Sequence, residues 1–336
     1  MQRIDIQSNY KPQWLQDLAN AFNDPAELLR FLGFDPADFA EDLPARKLFA
    51  VRVPRSFAEK MQKNDRNDPL FLQAMALQDE FLQADGFVKD PLEEQHSPAP
   101  NILHKYHNRL LFMLKNSCAI NCRYCFRRHF PYDEVKSGKA VWQQGLTYIA
   151  EHHELEEVIL SGGDPLMAKD HEMDWILSEL EQIPHIKTLR IHSRLPVVIP
   201  NRITPEFADR LQRSRLNVVL VTHINHANEI DDIFAEKMTM LKQAGVVLLN
   251  QSVLLKGIND NAQTLKALSD KLFGYGILPY YVHLLDKVEG ASHFYVSDEQ
   301  AFVIYKELQR ITSGYLVPKL AREIAFEPHK ILMNAS

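Results

Sequence analysis

The sequence has no excess of positive charge: 38 Lys and Arg stand against 44 Asp and Glu, a formal net charge of -6, so it offers no global basic field for a nucleic-acid backbone. It also lacks long apolar runs. The longest, GVVLL at 245–249 and NVVLV at 217–221, fall far short of the ~20 residues that cross a bilayer, and the opening string MQRIDIQSNYKPQW has no apolar export core. These absences predict a cytoplasmic protein that meets a small molecule or another protein, not a nucleic acid or a membrane. Cysteine is scarce: three in 336 residues exclude a disulfide framework and, without an export signal, point to reduced thiols. What is there is globular. A hydrophobic fraction of 46% with 24% charged residues excludes disordered and fibrous chains, and the length allows one large domain or two ordinary ones.

From about residue 150 onward, short apolar β-type runs alternate with amphipathic helical stretches, the pattern of βαβ units and a parallel sheet. The runs are VIL at 158–160, TLRIH at 188–192, NVVLV at 217–221, VVLLN at 246–250 and LPYYVHLL at 278–285, with LLFML at 110–114 as a first strand. Their spacing of about 30 residues is one strand plus a crossover helix. They predict an α/β fold, a six-stranded (β/α)6 partial TIM-type barrel over residues 101–312, more economical than a closed barrel of eight strands. Helices are expected after Asp170 as a cap, from Thr204-Pro205, and over 300–311. Residues 1–100 carry helix-like segments at 13–22, 26–32 and 70–82, broken by Asp-Pro pairs at 24, 35, 68 and 90 and without a strand period. They predict an α-helical N-terminal extension, with PAP at 98–100 as its junction. A short C-terminal segment, 313–336, follows the barrel.

Such folds bind ligands at the carboxyl ends of their strands, and the unusual polar groups gather there: SGGDP at 161–165, HSR at 192–194, THINH at 222–226 and NQS at 250–252. After the first strand stands CAINCRYC, with Cys118, Cys122 and Cys125. This C-x3-C-x2-C spacing matches neither the usual zinc nor the usual ferredoxin patterns. Three thiolates on a four-iron, four-sulfur cluster leave one iron open for a ligand. The alternatives are three core cysteines, or a zinc site with His129 as fourth ligand.

The cysteine string, with an aromatic before its third cysteine, resembles the radical S-adenosylmethionine superfamily, and SGGDPL at 161–166 strengthens the likeness because two glycines let backbone approach the cofactor closely. CFRRHF at 125–130, IHSRLPVVIPNRIT at 191–204, THINHANEI at 222–230, NQSVLLKGIND at 250–260, LPYYVH at 278–283 and TSGYLVP at 312–318 resemble the lysine 2,3-aminomutase family over roughly residues 50–330. The resemblance implies an isomerase that uses the cluster, S-adenosylmethionine and pyridoxal 5'-phosphate to move the α-amino group of (S)-α-lysine to its β-carbon, giving (R)-β-lysine. It implies an external electron donor and a symmetric homo-oligomer. It also implies the site residues. Cys118, Cys122 and Cys125 hold the cluster; Ser161, Gly162, Gly163, Asp164, Ser193, Arg194, His223 and Gln251, with His192 beside them, line the S-adenosylmethionine pocket. Lys330 anchors pyridoxal phosphate, with Lys319 as the competing lysine, and Arg109, Tyr106 and Lys105 surround the phosphate. Arg127 pairs with the substrate carboxylate.

The chain departs from the family where free-lysine enzymes hold the substrate ε-ammonium with two aspartates: Asp286 lies in the longer string LLDKVEGASHF and the second position is Glu323. The approach to Lys330 reads IAFEPHK in place of a glycine-rich loop, and a longer C-terminal region is not seen. These departures resemble the shorter branch associated with β-lysine modification of elongation factor P, whose pathway proteins then become candidate partners. An aminomutase for another amino acid and a non-catalytic iron-sulfur sensor are the alternatives.

Overall fold

The computed structural model describes residues 12–94, 97–132 and 135–333. The export-signal reading of the first residues, and the outermost parts of the expected N- and C-terminal segments, therefore lie partly outside the described residues. One nine-stranded sheet organises the molecule, ordered as in the sequence: β1 (Ile102–Tyr106), β2 (Arg109–Lys115), β3 (Glu157–Gly162), β4 (Thr188–Ser193), β5 (Asn217–His223), β6 (Val247–Val253), β7 (Leu278–His283), β8 (Lys319–Arg322) and β9 (Ile331–Leu332). Neighbours from β2 to β8 pair in parallel, while β1 and β9 add antiparallel edges. The sheet is open.

The six expected strands are β2 to β7, but the count of six is corrected: the parallel run continues into β8, and two antiparallel strands flank it. The three unforeseen strands were hidden for physical reasons. ILHKY in β1 is half polar and gains its place by pairing back on β2 across a two-residue turn, Tyr106 opposite Arg109. KLAR in β8 and IL in β9 are too short to show a period.

Strand alternation sets the two faces of the sheet. Val158, Leu160, Leu189, Ile191, Val218, Leu220 and Leu248 are buried in the main core. Their neighbours Glu157, Ile159, Ser161, Arg190, His192, Val219, His223, Leu249, Gln251, Tyr281 and His283 line one cavity on the opposite face. A slip of one residue in any strand would exchange core for cavity, so the apolar pattern that fixes the register also fixes the site.

The first hundred residues contain the helices Gln13–Ala19, Pro25–Phe31, Arg55–Ala58 and Pro69–Ala74 among short turns. Three of the four Asp-Pro pairs that read as breaks are starts. Asp24, Asp35 and Asp68 each accept a hydrogen bond from the backbone N–H two residues on, with proline in the first turn, an arrangement worth about 1 kcal/mol per cap. The expected helix over 70–82 is cut short at Ala74 because Met75 is extended, and the carbonyl of Gln73 accepts from the N–H of Arg123. These helices share the main core: Trp14, Leu28, Phe57 and Phe71 belong to the same buried cluster as Leu160 and Ile191.

Later helices follow the sequence closely. Thr204 caps Pro205–Gln212 through the N–H of Phe207, and the last long helix is Asp298–Ile311. Asp170 is the first residue of its helix, not its cap; Glu172 reaches back to the Lys169 N–H at 2.7 Å.

Candidate active site

The cavity on the inner face has a volume of about 970 Å³. It takes side chains from the cysteine loop, from β1 to β7 and from the C-terminal segment. Of the site residues expected from sequence, all line it except Ser193.

The loop after β2 carries Cys118, Cys122 and Cys125 into the cavity wall, which sets aside the reading as core cysteines. Its entry is fixed by the end of β3: the N–H of Gly163 donates to the carbonyl of Lys115 and that of Asp164 to Ser117, both at 2.9 Å. The two glycines serve this packing. Gly162 has φ +114°, and a Cβ on Gly163 would lie 2.5 Å from the Ser117 carbonyl oxygen, so the double glycine is required by protein backbone before any ligand is considered. Burial pushes the Cys118 thiol well above its ordinary pKa and the Cys125 thiol up to about 11, with neighbouring thiols adding to both. Thiols at Cys118 and Cys125 that burial pushes toward their protonated form fit a positively charged metal centre, which takes the place of their protons. His129 does not line the cavity, and its Nε2 lies 3.2 Å from the Glu289 carbonyl, so the four-ligand zinc alternative loses its fourth group.

Asp164 and Arg194 are built into the protein. The Asp164 carboxylate accepts from the N–H groups of Leu166, Arg194 and Leu195 at 3.0, 2.8 and 2.9 Å and from the Ser193 hydroxyl at 2.7 Å. Ser193 thus braces Asp164 from behind the wall. The Arg194 guanidinium donates to Cys122 Sγ, Gln73 Oε1 and Glu229 Oε2, each at 2.9 Å, and to the Tyr124 hydroxyl. Gln251 and His223 meet at 2.8 Å. Burial, with Arg194 nearby, pushes the His223 pKa down to about 3, so the ring is neutral. His192 is likewise held neutral by burial, and its Nε2 is buried without a partner, a free polar atom on a wall that could meet a ligand.

At the other end the groups are charged and paired with one another. Lys330 Nζ contacts Glu323, whose other oxygen accepts from the Tyr106 hydroxyl at 3.0 Å and lies 3.6 Å from Lys105 Nζ. Lys105 pairs with Glu94 at 2.8 Å, and Glu94 accepts from Arg127 Nε at 2.6 Å. Arg127 reaches the Ser161 hydroxyl at 3.5 Å. Arg109 stacks over the Tyr106 ring, 4.1 Å from its centroid. Although burial works against it, Lys330 holds the Glu323 carboxyl down to about 2. Burial, with Glu323 adding, pushes Asp286 up to about 7. Lys319, the competing lysine, is exposed on β8 and does not line the cavity.

Sequence reasoning missed Glu94, His283 and Tyr132 in this wall. Glu94 lies in the polar string DPLEEQH, where nothing in type or period distinguishes it. His283, at the end of β7, is kept neutral by burial and by Lys330, its pKa near 3. Being the last residue of a strand whose predecessors ended in ligand-facing groups was its available signal.

A parallel sheet that sends three cysteines from the loop after one strand toward a glycine pair at the end of the next defines a class, and residues 114–268 match the Radical SAM superfamily. The chain is 64% identical over 320 residues to the L-lysine 2,3-aminomutase of Haemophilus influenzae, covering 95% of each. It is 57% identical over 328 residues to that of Escherichia coli, covering 97% of this chain and 96% of the other. The enzyme of the same name from Clostridium subterminale is 34% identical over 308 residues, 91% of this chain and 74% of the other. The chain belongs to the lysine 2,3-aminomutase family, radical S-adenosylmethionine isomerases that use a 4Fe-4S cluster, S-adenosylmethionine and pyridoxal phosphate. Among the described residues no helix is long and apolar enough to cross a membrane.

Proposed function

We propose that the protein converts (S)-α-lysine to (R)-β-lysine, with pyridoxal phosphate anchored at Lys330, and that the product supplies β-lysylation of elongation factor P. The observation that carries this is Lys330 in the wall of the cavity that also holds Cys118, Cys122 and Cys125. One space thus offers thiolates for a cluster and an amine for a carbonyl cofactor. Bound there, the cluster with S-adenosylmethionine supplies a hydrogen-abstracting radical, and pyridoxal phosphate carries the migrating nitrogen.

The chain's own residues bind, orient and exclude water. Arg109, Tyr106 and Lys105 offer cationic and hydroxyl donors to a phosphate. Arg127, planar and buried, presents its fork to a substrate carboxylate. Asp286 and Glu323 supply the negative charge for the ε-ammonium, which argues against an acidic amino acid as substrate. Ser161, Gly162, Gly163, Arg194, His223 and Gln251 line the S-adenosylmethionine pocket, with Asp164 and Ser193 holding its backbone in shape. We read residues 1–100 as the N-terminal extension, 101–312 as the radical-chemistry unit and 313–336 as the cofactor-lysine segment. The longer loop around Asp286 and the glutamate at 323 favour the elongation factor P branch over enzymes specialised for free lysine. A cytoplasmic homo-oligomer served by an external electron donor completes the proposal.

The test is anaerobic incubation of the reconstituted protein with S-adenosylmethionine, pyridoxal phosphate, dithionite and (S)-α-lysine. β-Lysine is expected from the wild type and from neither Lys330→Ala nor Cys122→Ala, while Lys319→Ala stays active. Formation of 5'-deoxyadenosine without β-lysine would overturn the substrate assignment. Neither product from a protein with an intact cluster would move a sensor role ahead.

A further inference from the structure

The segment before the sheet grips the cysteine loop at several points between residues 50 and 80. The Asn121 N–H donates to the Arg52 carbonyl at 3.1 Å, and its side-chain amide to Ala50 at 2.7 Å. The Arg123 N–H donates to Gln73, and its Nη1 to the Leu72 carbonyl at 2.7 Å. Glu80 stands at the centre. Its carboxylate, with a side-chain exposure of 0%, accepts from Arg123 Nε at 2.7 Å through one oxygen and from Arg128 Nη2 at 2.5 Å through the other. The two arginines are themselves 1% and 2% exposed in their side chains. They bracket Cys125, and Arg123 sits between it and Cys122.

The same two arginines reach the loop after β7. Arg128 Nη1 donates to the Gly290 carbonyl, and Arg123 Nη2 meets His293 Nε2, both at 3.0 Å. Burial, with Arg123 and Arg128 beside it, keeps His293 neutral, its pKa near 3, so the ring nitrogen accepts. Glu80 thus bonds to both guanidinium groups, which tie the cysteine loop to the loop that follows Asp286.

We infer that the N-terminal segment is the holder of the cluster-binding loop, and that Glu80 is the positioning residue through which it holds. The inference stands on the cysteine loop alone and goes beyond the lysine assignment; it applies whichever amino acid the site accepts. A carboxylate buried between two guanidinium groups fixes their planes and directions, because each N–H must find its oxygen. Arg123 and Arg128 are in the loop's own backbone, so fixing them fixes the spacing of the thiols around Cys122 and Cys125. With Gln in place of Glu80, one arginine faces an amide donor and loses its acceptor. The loop is freed on one side while the strands behind it keep their pairing.

The experiment uses the full chain in two forms. In the cofactor-free protein, amide hydrogen exchange of Glu80→Gln is compared with wild type. In the reconstituted protein, the rate of cluster loss to an iron chelator is followed by visible absorbance, with the electron-spin-resonance spectrum of the reduced cluster recorded alongside. Faster exchange confined to residues 117–130, unchanged protection in β5 and β6, and cluster loss at least tenfold faster are expected, with partial recovery in Glu80→Asp. Wild-type exchange and cluster retention, or protection lost evenly across the sheet, would overturn the inference. If Glu80→Gln yields no folded protein, Asn121→Ala carries the test. It removes one bond at an exposed edge of the same grip, and a two- to threefold faster cluster loss supports the inference while an unchanged rate overturns it.

Discussion

The two ends of the cavity are built on opposite principles. Around the cysteines, the charged groups are held by fixed partners in the protein: Asp164 receives four hydrogen bonds, and Arg194 is held by Gln73 and Glu229. Around Lys330, charges answer chiefly to one another through a relay from Glu323 and Lys105 to Glu94 and Arg127. The first arrangement ties each charged group to several partners of fixed direction, as suits a centre that must hold one geometry. The second consists of ion pairs that a charged ligand can exchange for its own, and beside them burial pushes Asp286 up to about 7. A site that handles a zwitterionic molecule carrying a further ammonium group needs such exchangeable partners; a cluster does not.

The largest effect that can break this comparison is expected at Asp164. Asn would keep the shape but turn an NH2 group toward backbone N–H donors, either those of Arg194 and Leu195 or that of Leu166 with the Ser193 hydroxyl. Hydrogen bonds to a buried charge are worth roughly 1.5–3 kcal/mol each, so Asp164→Asn should lose about 3 kcal/mol. Urea unfolding of the cofactor-free protein measures it as a lower midpoint at unchanged slope. A loss under about 1 kcal/mol would show that the cysteine end is not saturated as described.

The same contrast decides what could be read from residues alone. Three cysteines within eight positions, and a glycine pair at a strand end, are legible because their chemistry is local. Even there the reason for the glycines lay elsewhere, in the Ser117 backbone 2.5 Å from a would-be Cβ. The apolar runs of β2 to β7 were legible because burial writes a period, while β1, β8 and β9 are polar or short and owe their place to neighbours. Glu80 and Glu94 were not legible. They take their meaning from arginines 43 and 33 residues away, a separation that leaves no mark on the strings in which they sit. Asp-Pro pairs misled for the converse reason, since the same two residues end one helix and cap the next.

At the ionic end a smaller effect is expected, and it should depend on pH. If Asp286 has its proposed role, Asp286→Asn removes one of two charges offered to the ε-ammonium, so the KM for lysine should rise roughly tenfold, equivalent to about 1.4 kcal/mol. The wild-type KM should fall as pH rises through about 7, where Asp286 becomes a carboxylate. The variant should lack that limb. Steady-state kinetics of β-lysine formation across this range checks both, and an identical profile in the two proteins would remove Asp286 from the ammonium site.

A last effect concerns stability, and its sign follows from the same group. Asp286 has an ordinary pKa of 3.8 when unfolded and about 7 when folded. Between those values the unfolded chain has released this proton and the folded chain still binds it. Stability contributed by the group therefore declines as pH rises across that window, and is constant above it. Asn does not titrate, so the difference in unfolding free energy between wild type and Asp286→Asn should drift against the wild type from about pH 5 to pH 7 and then level. Paired urea titrations at each pH cancel the contributions of all other groups. A difference that stays flat through this window would mean that the Asp286 carboxyl is ionised at ordinary pH in the folded protein, and that the two ends of the cavity are more alike than their hydrogen bonds suggest.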